Sequence, residues 1–198
     1  MFVLFIQTLV GPYATNTYLL TGTECCVVID PSGDGETIYR VATKGGKRIA
    51  AILLTHGHFD HIDALESLAC LSGAPVYVSI HDSPMLIDPY LNASWLVGQS
   101  ITASVNDLRT LSGDETLTFG DIVIKVIATP GHSAGCLCYL AENALFSGDT
   151  IFADGYGRTD LPNAAPDQYK ESLSTIAPVL QRADLYPGHG RKLIHNKE

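Results

Sequence analysis

At 198 residues, with 46% hydrophobic and 17% charged residues, the chain has the composition of an ordinary globular protein with enough apolar surface for a substantial core, which excludes a disordered or low-complexity chain. Twelve Lys and Arg against 21 Asp and Glu give a formal charge of −9, which repels a phosphate backbone and argues against nucleic acid as a partner. No apolar run approaches membrane-spanning length, and five cysteines, an odd number, do not make a secreted disulfide framework.

The first ten residues are apolar but carry no basic leader and no small-residue cleavage site before the turn at Gly11-Pro12. They read as a strand at 3–10, and the expected compartment is the cytoplasm. Strands at 16–21 and 25–29 follow, and this meander closes at Asp30-Pro31-Ser32-Gly33. A modest helix is expected at 35–43, broken by Gly45-Gly46. After it, 49–54 is a continuous apolar run, the pattern of a strand buried on both faces. Ile62, Leu65, Leu68 and Ala69 recur at helical spacing over 62–71, and 76–80 reads as another strand. From 81 to 107 a short helical start gives way to a stretch without period, read as a lid, a binding loop or a surface excursion.

In the second half, strands are expected at 116–119, 122–128, 136–140 and 144–147, with turns at Gly113-Asp114 and Gly120-Asp121. A helix at 167–181 presents Tyr169, Leu173, Ile176 and Leu180 on one face, with Pro178 against it, and a short strand at 184–186 comes last. Strands, helix, strands and helix in that order suggest two packed sheets with helices outside, in a single domain spanning 1–198.

The run at 49–54 stops at Thr55-His56-Gly57-His58-Phe59-Asp60-His61, an H-x-H-x-D-H arrangement. In extended chain, residues two apart point the same way, so His56 and His58 offer their imidazoles to one ion while Asp60 and His61 turn toward a neighbouring one. Imidazoles at the end of an apolar run need partners, and a divalent cation satisfies several at once; Gly57 lets the backbone come close. Three later strands exit in a similar way, into Thr129-Pro130-Gly131-His132, Gly148-Asp149 and Pro187-Gly188-His189, so that five of the seven histidines lie in strand-exit loops. His81 and His195 read as structural or surface residues. Cys136 and Cys138 alternate along their strand as a conceivable thiolate pair, without a second pair to complete a thiolate zinc site.

His56, His58, Asp60, His61, His132, Asp149 and His189, in this order over nearly the whole chain, resemble the metallo-β-lactamase fold superfamily. The resemblance implies an α+β fold, a four-layer αββα sandwich of two mixed β-sheets with helices outside and a binuclear metal site along one edge. Carried over residue by residue, His56, His58 and His132 would hold one ion, Asp60, His61 and His189 the other, and Asp149 would bridge them. An aspartate bridge is the mark of hydrolases similar to glyoxalase II. The segment Gly148-Asp149-Thr150-Ile151-Phe152, followed by Gly155-Tyr156-Gly157-Arg158-Thr159-Asp160-Leu161-Pro162, resembles the short glyoxalase II-like hydrolases. Three features depart from that pattern. The chain runs nine residues past His189, where glyoxalase II continues into a helical domain that grips glutathione; Asp160 stands where those enzymes carry a tyrosine; and Asp63-Ala64 replaces a frequent Gly-Gly.

The resemblance implies a binuclear metal-dependent hydrolase of small-molecule thioesters or esters, of the S-2-hydroxyacylglutathione type. Its cofactors would be two divalent ions, zinc first with iron or manganese as alternatives. Hydroxide held between the ions and oriented by Asp60, the catalytic residue, would attack the carbonyl. Tyr156 and Arg158 are the expected substrate-binding residues, with Arg158 either clamping a substrate carboxylate or pairing with Asp160. The competing implications are a mononuclear iron persulfide dioxygenase, which shares the ligand pattern and a similar Gly-Arg-Thr-Asp element, and a lactone or ester hydrolase. Neither nucleic acid nor membrane is an expected partner.

Overall fold

Alternation along one central strand sets the layering. In β3 (Cys25–Ile29) the side chains of Cys25, Val27 and Ile29 join one apolar cluster with Tyr18, Leu53, Val126, Tyr139 and Phe146, while Cys26 and Val28 join another with Ile38, Ile52, Leu65 and Leu68. A strand whose successive residues enter two different cores is covered on both faces, as the continuous apolar run of β4 (Arg48–Leu53) also requires. The structure, a computed structural model, describes residues 4–195, so the beginning of the expected first strand at residue 3 lies outside the described residues.

The first sheet runs β1 (Phe5–Val10), β2 (Asn16–Thr21), β3, β4, β5 (Val76–Ser79) and β6 (Leu108–Leu111), antiparallel over the first three strands and parallel from β3 onward. The second contains β7 (Thr116–Phe119), β8 (Ile122–Ala128), β9 (Leu137–Ala141), β10 (Ala144–Gly148) and β13 (Asp184–Pro187), ordered β13-β10-β9-β8-β7, with β13 parallel to β10. A small hairpin of β11 (Ile151–Phe152) and β12 (Gly155–Tyr156) stands apart from both. One cluster fills the space between the sheets. A second lies between the first sheet and α1 (Gly35–Ala42) and α3 (Leu65–Ser72), and a third lies between the second sheet and α4 (Pro166–Leu180). The result is the expected αββα sandwich, and each fully buried Leu or Ile in it contributes about 2 kcal/mol of burial free energy.

The helix expected at 167–181 forms as α4, and departures elsewhere have identifiable causes. The helix expected at 62–71 begins earlier and breaks: α2 (Phe59–Ile62) is one turn, and Ala64 at φ −100° and ψ 0° separates it from α3. β6 was not expected because it is an edge strand in which only Leu111 is buried, which leaves no alternation to read. The helix α4 passes through Pro178 because that proline sits in the last turn on the exposed face, where one backbone hydrogen bond is forfeited. The stretch 81–107 is built around buried Asn92, whose amide donates to the Met85 and Ile101 carbonyls and whose own carbonyl accepts from Phe59 N at 3.0 Å. It therefore packs on the histidine loop, and a Cβ on Gly57 would stand 2.6 Å from Met85 Cβ. Among the described residues, no helix is long and apolar enough to cross a membrane.

Candidate metal centre

The exits of β4, β8, β10 and β13 meet at one edge of the sandwich. Leu137 N donates to Thr55 O at 2.8 Å across the two sheets, and the parallel pairing of β10 with β13 places Gly188 N 2.8 Å from Gly148 O. The β1–β2 hairpin holds the last of these loops in place. Asn16 donates its backbone N–H to Gly188 O and its side-chain amide to the Pro187 and Gly190 carbonyls, and the Tyr18 hydroxyl donates to Pro187 O at 2.6 Å. Gly188 leaves room for the site itself, since a Cβ there would overlap Asp149 Oδ1 and stand 2.8 Å from His61 Cε1.

All seven residues expected from the sequence converge there. His56, His58 and His132 form one group, Asp60, His61 and His189 a second, and His56, His61 and Asp149 a third, each with its potential ligand atoms within 4.8 Å of one another. His58 Nδ1 lies 2.9 Å from His132 Nε2. Asp149 faces both sides: Oδ2 is 3.6 Å from His132 Nε2 and 3.5 Å from His189 Nε2, and Oδ1 is 3.4 Å from His61 Nε2. Asp60 Oδ2 stands 3.1 Å from His189 Nε2 and 3.6 Å from His61 Nε2. Two donors about 2.1 Å from one tetrahedral ion are roughly 3.4 Å apart, so most of these spacings match ligands sharing a cation.

Outer partners fix which nitrogen faces inward. His61 Nδ1 lies 3.0 Å from Asp30 Oδ2, His132 Nδ1 2.7 Å from Arg158 O, and His189 Nδ1 3.3 Å from Ala14 O. Each of those acceptors claims the ring N–H, which leaves the Nε2 lone pair directed into the site. The Nε2 atoms of His56, His58 and His61 and Oδ1 of Asp149 are buried without any hydrogen-bond partner. Buried polar atoms are ordinarily paired, so the orphans on His56, His61 and Asp149 fit divalent cations as their missing partners, while His58 turns its other nitrogen, Nδ1, toward His132.

The electrostatics differ across the cluster. Burial, reinforced by neighbouring imidazoles, holds His56 well below the ordinary histidine value and His58 down at about 3, so both rings are neutral donors. Burial also acts to lower His61, but Asp60, Asp30 and Asp149 outweigh it and hold that imidazole well above its usual range. His189 is raised as well: burial opposes protonation, and the contact with Asp60 and the charge of Asp149 overcome it. Both carboxylates are shifted down. Burial alone would raise Asp60 and Asp149, and His61 and His189 reverse that, joined for Asp60 by the Thr15 hydroxyl, which donates to Oδ2 at 2.7 Å.

Three contributors carried no motif. Asp30, at φ 52°, accepts from Thr55 N at 2.8 Å and Thr55 Oγ1 at 2.6 Å besides contacting His61. Asp82 is buried and accepts from Gly57 N, Gly135 N, Ser133 Oγ and Asn163 Nδ2, which ties the first histidine loop to the loop of His132. Thr15 is the third. Asp30 and Asp82 each follow a strand, β3 and β5, so the strand-exit rule that marks Asp149 also marks them. Asp63 likewise has a role, accepting from Gly33 N at 2.9 Å and joining the loop of Asp30 to the turn after α2.

The expected substrate residues sit at the rim. Tyr156 is 63% exposed and lines a cavity beside His189. The guanidinium of Arg158 is paired with Asp160 at 2.6 and 2.8 Å, and its carbonyl is the part that touches a candidate ligand. Cys136 and Cys138 are buried, and no group of potential ligands among the described residues includes either. His81 and His195 are exposed and outside the cluster.

A family model described as the metallo-beta-lactamase superfamily matches residues 10–189. A Bacillus subtilis (strain 168) protein named probable metallo-hydrolase YqgX is 39% identical over 185 residues, covering 91% of this chain and 87% of that protein. Among solved structures, BLEG-1 B3 metallo-beta-lactamase is similar with a TM-score of 0.88 at 34% identity, over 95% of this chain and 93% of that one. A di-iron-bound form of TTHA1623 is similar with a TM-score of 0.81, again at 34% identity over 95% and 93% of the two chains.

Proposed function

The chain belongs to the metallo-beta-lactamase superfamily, and from that premise we propose that it is a hydrolase using two divalent ions to cleave a small thioester or ester, with S-2-hydroxyacylglutathione thioesters as the first substrate class. The observation that carries the reading is the set of orphaned inward atoms on His56, His61 and Asp149, with His58 Nδ1 turned to His132 and Asp149 between the two groups. The di-iron form of TTHA1623 supports two ions, and the name of YqgX supports hydrolysis. His56, His58 and His132 would hold one ion, Asp60, His61 and His189 the other, and Asp149 both.

When bound, such ions polarise a carbonyl and lower the pKa of water to about 7. Everything else falls to the chain. Asp60, held ionised with Oδ2 fixed by Thr15, would accept a hydrogen bond from water and so orient it. The side chains beside His132 that would otherwise serve as nucleophiles are committed elsewhere: Ser133 donates to Asp82 at 2.6 Å, and burial pushes the Cys136 thiol well above its ordinary value. Water is left as the attacking group. Arg158 O keeps His132 in one tautomer, and Tyr156 stands at the rim as a wall for substrate.

The test joins metal analysis to a substrate panel of S-lactoylglutathione, a lactone and a β-lactam. The β-lactam is included because of the similarity to BLEG-1 B3 metallo-beta-lactamase. Two ions per chain and thioester cleavage, both reduced in Asp149→Ala, are expected. A single iron with oxygen consumption on a persulfide would overturn the reading.

A further inference from the structure

We propose that the cavity between the β11–β12 hairpin and the loop of His189 receives the carrier portion of the substrate, and that Arg191 is its anion receptor. This rests on the hydrolase reading above and extends it to a substrate class: thioesters whose thiol carrier bears a carboxylate or a phosphate.

The cavity, about 380 Å³, is lined by Phe152, Asp154, Tyr156, His189 and Arg191 among others. His189 is a candidate ligand, so the cavity adjoins the candidate centre at that residue. Two aromatic rings face this region without a core to fill: Phe152, whose ring centre is 6.2 Å from that of His189, and the exposed Tyr156. Aromatic walls with one placed charge are the ordinary make-up of a small-molecule site. Arg191 follows His189 by two residues, which spans at most about 7 Å of chain.

The state of Arg191 points to its use. Its Nε and Nη2 donate to the two oxygens of Asp154 at 3.1 and 2.8 Å, and both side chains are largely exposed, at 64% and 73%. An exposed pair of this kind is held weakly, and the guanidinium fork fits a carboxylate or phosphate as well as it fits Asp154. A substrate anion can therefore take the place of Asp154 at little cost. Arg158, the cation expected from the sequence, is paired in the same way with Asp160 but does not line this cavity, whereas Arg191 is the one Arg or Lys among the described residues that does. On a chain of formal charge −9, such a local positive group favours docking of an anionic substrate.

The experiment uses metal-loaded protein and three thioethers that cannot be hydrolysed: S-hexylglutathione with carboxylates, S-hexyl-coenzyme A with phosphates, and the neutral S-hexyl-N-acetylcysteamine. Calorimetry on the wild type, Arg191→Ala and Asp154→Asn reads affinity, and the matching acyl thioesters read KM. The wild type should prefer an anionic ligand over the neutral one, with the stronger of the two anions identifying carboxylate or phosphate as the source. Arg191→Ala should reduce that preference about tenfold, the loss of one charge-assisted pair. Asp154→Asn, which frees the guanidinium, should increase it. Equal binding of neutral and anionic ligands, or a preference unchanged in Arg191→Ala, overturns the proposal even if thioesters are cleaved. An Arg191-dependent preference without cleavage of any thioester keeps the anion site and rejects the hydrolase reading.

Discussion

The two sides of Asp149 solve the same problem by different means. On one side stand His56, His58 and His132, at 0%, 3% and 4% exposure, with no carboxylate of their own. On the other, Asp60 joins His61 and His189, Asp30 backs His61, and His189 reaches the surface with 30% of its side chain exposed. Burial keeps His56 and His58 neutral, while concentrated carboxylate raises His61 and His189. A cation is thus invited to the first side by desolvated lone pairs that lack partners, and to the second by negative charge. The difference teaches that the shared carboxylate matters most to the side that has none.

The largest expected effect falls on the first side. His132→Ala leaves the first side with two neutral rings, so the metal content should fall from two ions toward one. Hydrolysis should fall by more than the roughly 10–100-fold typical of an outer-partner mutation. Elemental analysis of dialysed protein with a thioester assay reads both quantities. Two retained ions would break the distinction between the sides.

The outer aspartates sharpen it. Asp30 touches the His61 ring directly and His56 only through Thr55, so Asp30→Asn should weaken the second ion by about 10–100-fold and the first by less, as a stepwise metal titration would show. Asp82 touches no candidate ligand and instead collects four donors from three loops. Removing it strands buried donors, so Asp82→Ala should cost about 3 kcal/mol, a fall in Tm of roughly 6–12 °C for a chain of this size. Both ions should then loosen together. A smaller loss, about 1–2 kcal/mol for two hydrogen bonds, is expected of Asn16→Ala. Hydrogen exchange at Gly188 and His189 should rise while the loop of His56 stays protected.

The seven candidate ligands were legible because each follows a strand and belongs to a residue type with one dominant use in such a place. The sandwich was legible for the same reason, since β3 and β4 are apolar on both faces. What escaped depends on distance along the chain. Asp30 reads locally as a residue before proline in a turn, and its meaning lies with Thr55 and His61, 25 and 31 residues away. Asp82 acquires its role from Gly57 and Ser133, 25 and 51 residues away on either side of it. Asn92 turns an aperiodic stretch into a packed one through a carbonyl that meets Phe59, and β6 has too little buried surface to leave a pattern. Arg191 was hidden by a short spacing, because an arginine two residues past a candidate ligand has no meaning until the hairpin at 151–156 closes a cavity beside it.

The smallest effect supplies the baseline for the rest. Glu115 lies in the β6–β7 turn and contacts neither side of the centre. Its carboxylate accepts from Ser112 N at 2.6 Å, Ser112 Oγ at 2.7 Å, Gly113 N at 2.8 Å and Asp114 N at 3.1 Å. Partial burial pushes its pKa up, but these donors outweigh that and bring it down to about 2. A carboxylate whose folded pKa lies below its unfolded value of about 4.5 stabilises the protein above that value, and the contribution disappears as pH falls toward 2. Because the group faces solvent, the contribution is modest. Glu115→Gln should lower Tm by a few degrees at most at pH 7, and the difference from wild type should close as the pH is taken from 4.5 to 2. Metal content at pH 7 should be unchanged on both sides of Asp149. Were Glu115→Gln to remove either ion, loss of stability alone would be enough to empty the centre, and the separate effects assigned to His132, Asp30 and Asp82 would collapse into one.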